Sequence, residues 1–363
     1  MTIKRRQFLT GAATTAAASS IAAPALAQAQ PEIRWRLTSS FPRVLDTIYG
    51  TAQQFSKYVA EATDNKFQIQ TFPAGEIVPG LQALDAVTSG AVECAQTPVY
   101  FYFGKDPTLG FGTGVPFSLN ARLQHSWWHF GGGAEIINSV LGKFKAIGFP
   151  IGNSGTQMGG FFRKEINSVD DLKGLKFRIG GIGGQVMAKL GVVPQQIAPG
   201  DVYPALEKGT IDAAEFVGPY DDEKLGFHKV AQHYYYPGFW EGGAMMHLVV
   251  GTEHWEKLPK HYQRIVQDAC EAANNWMLAK YDAVNAPALR RLVAGGAQLR
   301  PFSVPIMEAA YKAAYELYDQ IAATNPDFKK ALDSMNAFRS EQYQWWQVGE
   351  FSFDAFMIRM RRG

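Results

Sequence analysis

The chain has 363 residues, 47% of them apolar and 19% charged, with a formal net charge of +2. That composition describes a globular protein rather than a disordered one, and no block of Lys and Arg supplies the electrostatic footprint of a nucleic-acid binder. Past the N-terminal segment, no run of about eighteen apolar residues exists to form a membrane-spanning helix.

The chain opens on signals rather than on a fold. "KRRQFLTGAATTAAASSIAAPALAQAQ" joins a basic start to an Ala-rich middle and an Ala25-Leu26-Ala27 cleavage pattern. Arg5-Arg6 followed by Phe8-Leu9 has the twin-arginine form. Residues 1–27 are therefore expected to be an export signal, leaving a mature periplasmic chain of about 336 residues (363 less 27). That length exceeds what one hydrophobic core usually serves, so two domains are expected. Much of the formal positive charge (Lys4, Arg5, Arg6) sits in the signal, so the mature chain is near neutral. The two cysteines, Cys94 and Cys270, leave both a disulfide and a pair of unlinked buried thiols open.

In chain order, "EIRWRLTSSF" (32–41) reads as a strand and 46–63 as an amphipathic helix. "FQIQTFPAGEI" is a second strand and turn, and 78–89 a second helix. This βαβα order argues for an α/β protein with parallel sheets and crossover helices. A new unit starts at 156. "ALDAVTSGAVECAQTPVY" (83–100) and "ALEKGTIDAAEFVGPY" (205–220) share one pattern of helix, glycine cap, acid and short strand, each ending near a Pro and a Tyr. Their repetition suggests two similar lobes, each ending a strand at one shared cleft. Asp201 is expected to cap a helix that begins at Val202. After residue 250 comes a long helical region opened by a turn, then two further helices split at Asn325-Pro326.

Ligands of α/β sheets bind beyond the carboxyl ends of the strands, which selects Tyr100, Arg178, Glu215 and Phe216 for attention. "LKFRIGGIGGQVMAKL" (175–190) has the strand, glycine turn and helix of a dinucleotide site. The fingerprint fails, because Val186 stands where its last glycine or alanine belongs. The glycines are expected instead to let backbone pass close to the cleft. Arg178, a permanent cation inside this strand, requires a partner: a ligand carboxylate gripped by its planar fork, or an acid of its own chain. Glu215, in "DAAEFVGPYDDEK", lies at an apolar strand end and needs a cation, either Arg178 or a metal. Gln157 in "IGNSGTQMGGFF" offers both a donor and an acceptor, and Glu241 in "YPGFWEGGAMM" is a second acid in an apolar setting. Two carboxylates and an amide oxygen suit a hard cation such as sodium or calcium, not zinc. The histidines show no H-E-x-x-H spacing, and no G-x-S-x-G elbow occurs.

Taken together, "GTQMGGFF", "LKGLKFRIGGIGGQVMAKLG", "ALEKGTIDAAEFVGPYDDEKLGF" and "YYYPGFWEGG" resemble the substrate-binding proteins of TRAP (tripartite ATP-independent periplasmic) transporters. Within them they are most similar to the branch that binds α-keto acids and related monocarboxylates. The resemblance covers roughly residues 32–350. It implies a two-domain periplasmic binding-protein clamshell with parallel or mixed sheets. One domain would comprise 31–155 plus about 244–285, the other 156–243 plus about 286–305. The segment 305–363 would supply C-terminal helices, which in that branch can mediate a homodimer. Their aromatics, in "EQYQWW" and "FSFDAFMIRMRR", exceed what a solvated face needs.

The resemblance also implies roles. Arg178 would pair with the ligand carboxylate, and a metal ion, Na+ or Ca2+, would be held by Gln157, Glu215, the backbone carbonyl of Phe216, and Glu241. Gln157 and Phe216 would also touch the substrate, and Tyr100 is the candidate contact from the opposite lobe. Phe216 stands where tryptophan is usual in the branch, and Glu241 where an amide is common. The extra carboxylate favours a divalent cation. The expected partners are a small organic acid and the membrane subunits of a TRAP transporter. The chain is expected not to be an enzyme. An exported oxidoreductase with a bound cofactor is the alternative, because twin-arginine export often carries proteins folded around cofactors.

Overall fold

The computed structural model describes residues 31–361, so the expected export signal lies outside the described residues. Its strands are β1 (Ile33–Ser39), β2 (Phe67–Phe72), β3 (Cys94–Thr97), β4 (Ala146–Asn153), β5 (Gly160–Phe162), β6 (Lys176–Arg178), β7 (Val193–Gln195), β8 (Ala213–Ala214), β9 (His233–Tyr236), β10 (Met245–Gly251) and β11 (Gln298–Pro301). They form a five-stranded sheet, ordered β2-β1-β3-β10-β4, and a six-stranded sheet, ordered β11-β9-β5-β8-β6-β7.

Local sequence accounts for the first sheet. In β1, exposed Arg34 and Arg36 alternate with buried Trp35 and Leu37, the period of a strand with one face on the core. The helix Ile48–Ala62 buries Tyr49, Ala52, Phe55 and Val59, spaced three and four apart, and so presents one apolar stripe. β1 pairs in parallel with β2 and β3, as the βαβα order predicts. The sheet is mixed, as the resemblance allowed and the βαβα order alone did not, because β10 runs antiparallel between β3 and β4. It follows β9 of the other sheet and enters beside Asn120 and Ser154, with no crossover helix to bring it round in parallel.

In the second sheet β6 is parallel to β7 and β8, whereas β5 is antiparallel to β8 and β9. The repeated pattern has matching backbone. The helix Ala83–Thr88 ends at Gly90 (φ +74°) before β3, and the helix Val202–Glu207 ends at Gly209 (φ +70°) before β8. In both, glycine takes the left-handed position that closes a helix. Asp201 does precede the helix at Val202, but its side chain makes no capping bond. Its φ and ψ of −99° and −5° prolong a preceding 3-10 turn, whereas a capping side chain needs extended backbone.

Past β10, Thr252–Lys257 is a short helix and Lys260–Ala294 a 35-residue one. The helix Val304–Ala322 follows. Asn325 then caps the next helix, Pro326–Trp346, by accepting from the Phe328 N–H at 2.9 Å, with Pro326 at the first position. A π-helical turn, Gln347–Phe351, joins it to the helix Ser352–Arg359. Cys94 and Cys270 are both buried and both free, so of the two open possibilities it is the unlinked thiols that occur.

Candidate functional site

The site assembles where β6 and β8 end side by side. Arg178 pairs with Ala214, and the Glu215 N–H donates to the Arg178 carbonyl at 3.0 Å. This register sets the two charged side chains together: Arg178 Nη1 stands 2.6 Å from Glu215 Oε1, with each side chain 1% exposed. The same nitrogen donates to the Glu215 carbonyl at 2.5 Å, and Nε donates to the Ile197 carbonyl at 3.2 Å. The guanidinium carbon lies 5.6 Å from the centre of the Phe216 ring, a cation–π contact in a water-poor setting. Nη2 takes no part in these bonds.

The glycines after β6 serve a tyrosine. A Cβ on Gly180 would stand 2.7 Å from Tyr100 Cε2 and 3.2 Å from its hydroxyl, and one on Gly181 would strike the same ring. Gly181 also has φ +55°, in the left-handed region, as it opens the helix Gly181–Lys189. Tyr100 comes from the turn Val99–Tyr102 just after β3, so the first sheet's strand end lies directly on the second's. Gln196 Nε2 donates to the Phe101 carbonyl at 3.0 Å beside it.

Glu241 follows Trp240, whose ring is buried against Phe239, Phe177 and Phe302. Its side chain is 4% exposed and packs against Gly114. Burial, then repulsion from Glu215, pushes its carboxyl well above the usual range, and Arg178 offsets only part of this. Glu215 is also raised, chiefly by burial and against the pull of Arg178. Burial raises the Tyr100 phenol too, with Glu241 and Glu215 adding and Arg178 opposing. These four groups therefore share one electrostatic environment.

Gln157, between β4 and β5, is buried and held from one end. Its Nε2 donates to Ser154 Oγ at 2.9 Å, and that hydroxyl also accepts the Ala244 N–H at 2.9 Å and donates to the Gly155 carbonyl at 3.0 Å. The amide therefore faces Ser154 with its nitrogen, and Oε1 has no partner. Backbone bonds Met158 N–H to Val217 O and Gly238 N–H to Gln157 O, both 3.0 Å, bring it beside the segments that carry Phe216 and Glu241. No bond joins it to Arg178.

Of the candidate residues, three each leave a buried oxygen without a partner: Gln157 Oε1, Glu215 Oε2 and Glu241 Oε2. Buried polar atoms are rarely left so, and an all-oxygen donor set suits sodium or calcium. Ile197 and Ser154 support the site without having been singled out in the sequence. Ile197 acts through its backbone carbonyl, which any residue would supply, and Ser154 is one hydroxyl in a Gly-Asn-Ser-Gly turn.

Comparison with known proteins gives a consistent answer. Residues 39–325 match the family model DctP, bacterial extracellular solute-binding protein, family 7. The monocarboxylate 2-oxoacid-binding periplasmic protein of Nostoc sp. (strain PCC 7120) is 48% identical, over 98% of this chain and 99% of the relative. A TRAP transporter solute-binding protein from Bordetella bronchiseptica RB50 is 49% identical, with a TM-score of 0.90 over 91% of this chain and 98% of that one. It is a mixed-occupancy dimer with copurified calcium and picolinate in one active site and an apo site in the other. A TRAP periplasmic solute-binding protein from Pseudoalteromonas atlantica T6c, with bound sodium and pyruvate, is 34% identical, with a TM-score of 0.86 over 89% of this chain and 98% of that one.

Proposed function

The chain belongs to the DctP family of bacterial extracellular solute-binding proteins, and from that premise we propose that it captures a 2-oxo acid or related monocarboxylate in the periplasm for a TRAP transporter. Members of the family bind solutes and are not enzymes, and the oxidoreductase alternative receives no support. The observation that supports the reading is the buried Arg178–Glu215 pair, together with an unpartnered buried oxygen on each of Gln157, Glu215 and Glu241.

The chemistry follows from charge. Arg178 offers an organic anion charge-assisted hydrogen bonds in a site that excludes water. Glu215, Glu241 and the ligand bring three negative charges when ionised, and Arg178 offsets one of them. A divalent cation held by Gln157, Glu215, the Phe216 carbonyl and Glu241 would offset the other two and let the anion enter. Calcium and a monocarboxylate thus complement this residue set better than sodium does. Phe216 walls the pocket beside the guanidinium, and Tyr100 reaches the ligand from across the cleft.

The two sheets supply the lobes of a clamshell, with residues 31–155 plus about 244–285 in one and 156–243 plus about 286–305 in the other. Tyr100 against Gly180 and the Gln196–Phe101 bond are the contacts of a closed form, which ligand would favour by joining the lobes. Membrane subunits of the transporter would recognise that form. The C-terminal helices pair two copies. Trp345, Val348, Phe351, Phe353, Phe356 and Ile358 each expose at least half of their surface, an apolar patch larger than a lone soluble chain usually presents.

The test is a thermal-shift screen of organic acids on chelator-treated mature protein, with and without calcium or sodium. A ligand at about a hundredfold its Kd stabilises by roughly 2.7 kcal/mol, several degrees in Tm. Stabilisation by 2-oxo acids that calcium enhances is the expected result. No response to any carboxylate, with or without metal, would overturn the proposal.

A further inference from the structure

His125 and His129 stand one turn apart on the helix Ala121–Phe130, with ring centroids 4.5 Å apart. An i,i+4 spacing puts two side chains on one helix face. Facing them is Glu271 of the long helix Lys260–Ala294. Its Oε2 lies 3.2 Å from His125 Nε2 and its Oε1 lies 3.1 Å from His129 Nε2. The ligand atoms of all three fall within 4.8 Å of one another. The cluster opens on a surface cavity of about 570 Å3 that His129, Glu271, Trp128 and Asn138 help to line. It shares no residue with the site around Arg178.

We propose that His125, His129 and Glu271 form a second, chemically distinct cation site, for a first-row divalent transition metal with zinc foremost. Each imidazole supplies Nε2, Glu271 supplies a carboxylate oxygen, and solvent takes the remaining position. Two imidazoles and a carboxylate with an open position are a donor set of zinc sites. Imidazole nitrogen selects zinc, copper or nickel over calcium and sodium, so the two sites take different ions.

Asn274 gives an independent pointer. It sits three residues beyond Glu271 on the same helix, is 6% exposed, and its Oδ1 has no partner. Its Nδ2 lies 3.4 Å from His125 Nδ1. Without an ion, His125 donates from Nε2 to Glu271, and its bare Nδ1 faces the Asn274 amide nitrogen. An ion on Nε2 moves the imidazole proton to Nδ1, and a metal-bound histidine holds that N–H against an acceptor. Turning the Asn274 amide over supplies the acceptor and gives the orphaned Oδ1 its bond. Asn274 is a positioning residue for the ion, and the bound metal ties the helix Ala121–Phe130 to the long helix.

The experiment is calorimetric titration of ZnCl2 into chelator-stripped mature chain carrying no added histidines, followed by thermal melts. Wild type is expected to take one equivalent of zinc and to gain several degrees in Tm. His125→Ala with His129→Ala should abolish this equivalent while the response to calcium and 2-oxo acids stays. Asn274→Ala should weaken zinc about 10- to 100-fold. The wild-type stoichiometry decides the matter even if a variant folds poorly, since absence of a zinc equivalent in the wild type overturns the site. Retention of it in the double histidine variant does the same, and an unchanged zinc affinity in Asn274→Ala overturns the positioning role.

Discussion

Arg178 commits one nitrogen, Nη1, to Glu215, bonding both its Oε1 and its backbone oxygen. The pair therefore has two roles that mutation can separate. Arg178→Ala leaves a carboxylate buried without its cation, which costs about 3–5 kcal/mol. It should also erase the thermal response to 2-oxo acids. Arg178→Met combined with Glu215→Leu replaces the pair with apolar groups of similar size, so it should recover most of the stability but none of the ligand response. Urea denaturation and the thermal-shift screen read the two effects apart. A ligand response surviving in Arg178→Ala would remove the arginine from the binding role.

Glu241→Gln tests the cation preference. The substitution keeps an oxygen donor but removes one negative charge, and calcium affinity in hard-oxygen sites follows ligand charge. Calcium enhancement of ligand binding should weaken by about tenfold or more, with sodium enhancement affected less. Calorimetry with each salt in the presence of pyruvate measures this. Equal calcium affinity in the variant and the wild type would exclude Glu241 as a ligand.

What could be read in advance was local. The strand–glycine–helix at 176–189 and the buried acid at 215 each follow from a few neighbouring residues and a rule about buried charge. The reason for the glycines was not readable, since the Tyr100 ring that occupies their missing side chains comes from a different sheet. His125 and His129 have the i,i+4 spacing but lack the glutamate of H-E-x-x-H and so escape that motif, and Glu271 joins them only through packing of two distant helices. The antiparallel run of β10 beside β3 was likewise beyond an alternating βα pattern, which says nothing of how a strand without a crossover helix will pair; the assignment of about 244–285 to the first domain came from the resemblance alone. Asp201 shows the reverse error, in which a good capping residue is denied its role by the backbone preceding it.

Gly180→Ala puts a methyl group into the Tyr100 ring. Overpacking of this kind costs about 1–3 kcal/mol, and here it also pushes the two strand ends apart. The variant should be less stable and should bind acid weakly. Tyr100→Ala in the same chain removes the obstacle, so the double variant should lose less stability than the two single changes added together. Strictly additive losses in thermal melts would mean that ring and glycine do not meet.

Deleting residues 347–363 removes most of the exposed apolar patch that includes Val348, Phe351, Phe353, Phe356 and Ile358. Light scattering should find the wild type dimeric and the truncated chain monomeric, while Arg178-dependent acid binding continues in both. A wild type that is monomeric at every concentration tested would assign the patch to some other contact.

Stability should decline as pH rises through neutrality, because of two acids just beyond the site. Asp221 Oδ2 accepts from the Tyr281 hydroxyl at 2.5 Å, and Asp222 Oδ2 accepts from the Tyr234 hydroxyl at 2.6 Å. Burial pushes Asp221 up to about 7 and Asp222 up to about 8. The folded chain then keeps protons that the unfolded chain, with ordinary carboxyls, has already released. Their stabilising effect is full below the unfolded value of about 4 and is lost as pH rises toward 7 to 8, with a slope of up to about 1.4 kcal/mol per pH unit for each group. Raised Glu215 and Glu241 act in the same direction in metal-free protein. Asp221→Asn imitates the protonated acid and still accepts from Tyr281, so it should flatten the decline by one group's share. Urea midpoints of chelator-treated protein between pH 5 and 8 measure both slopes. A slope unchanged by Asp221→Asn would mean that Asp221 is already ionised in the folded chain, held by Tyr281 and the start of its helix.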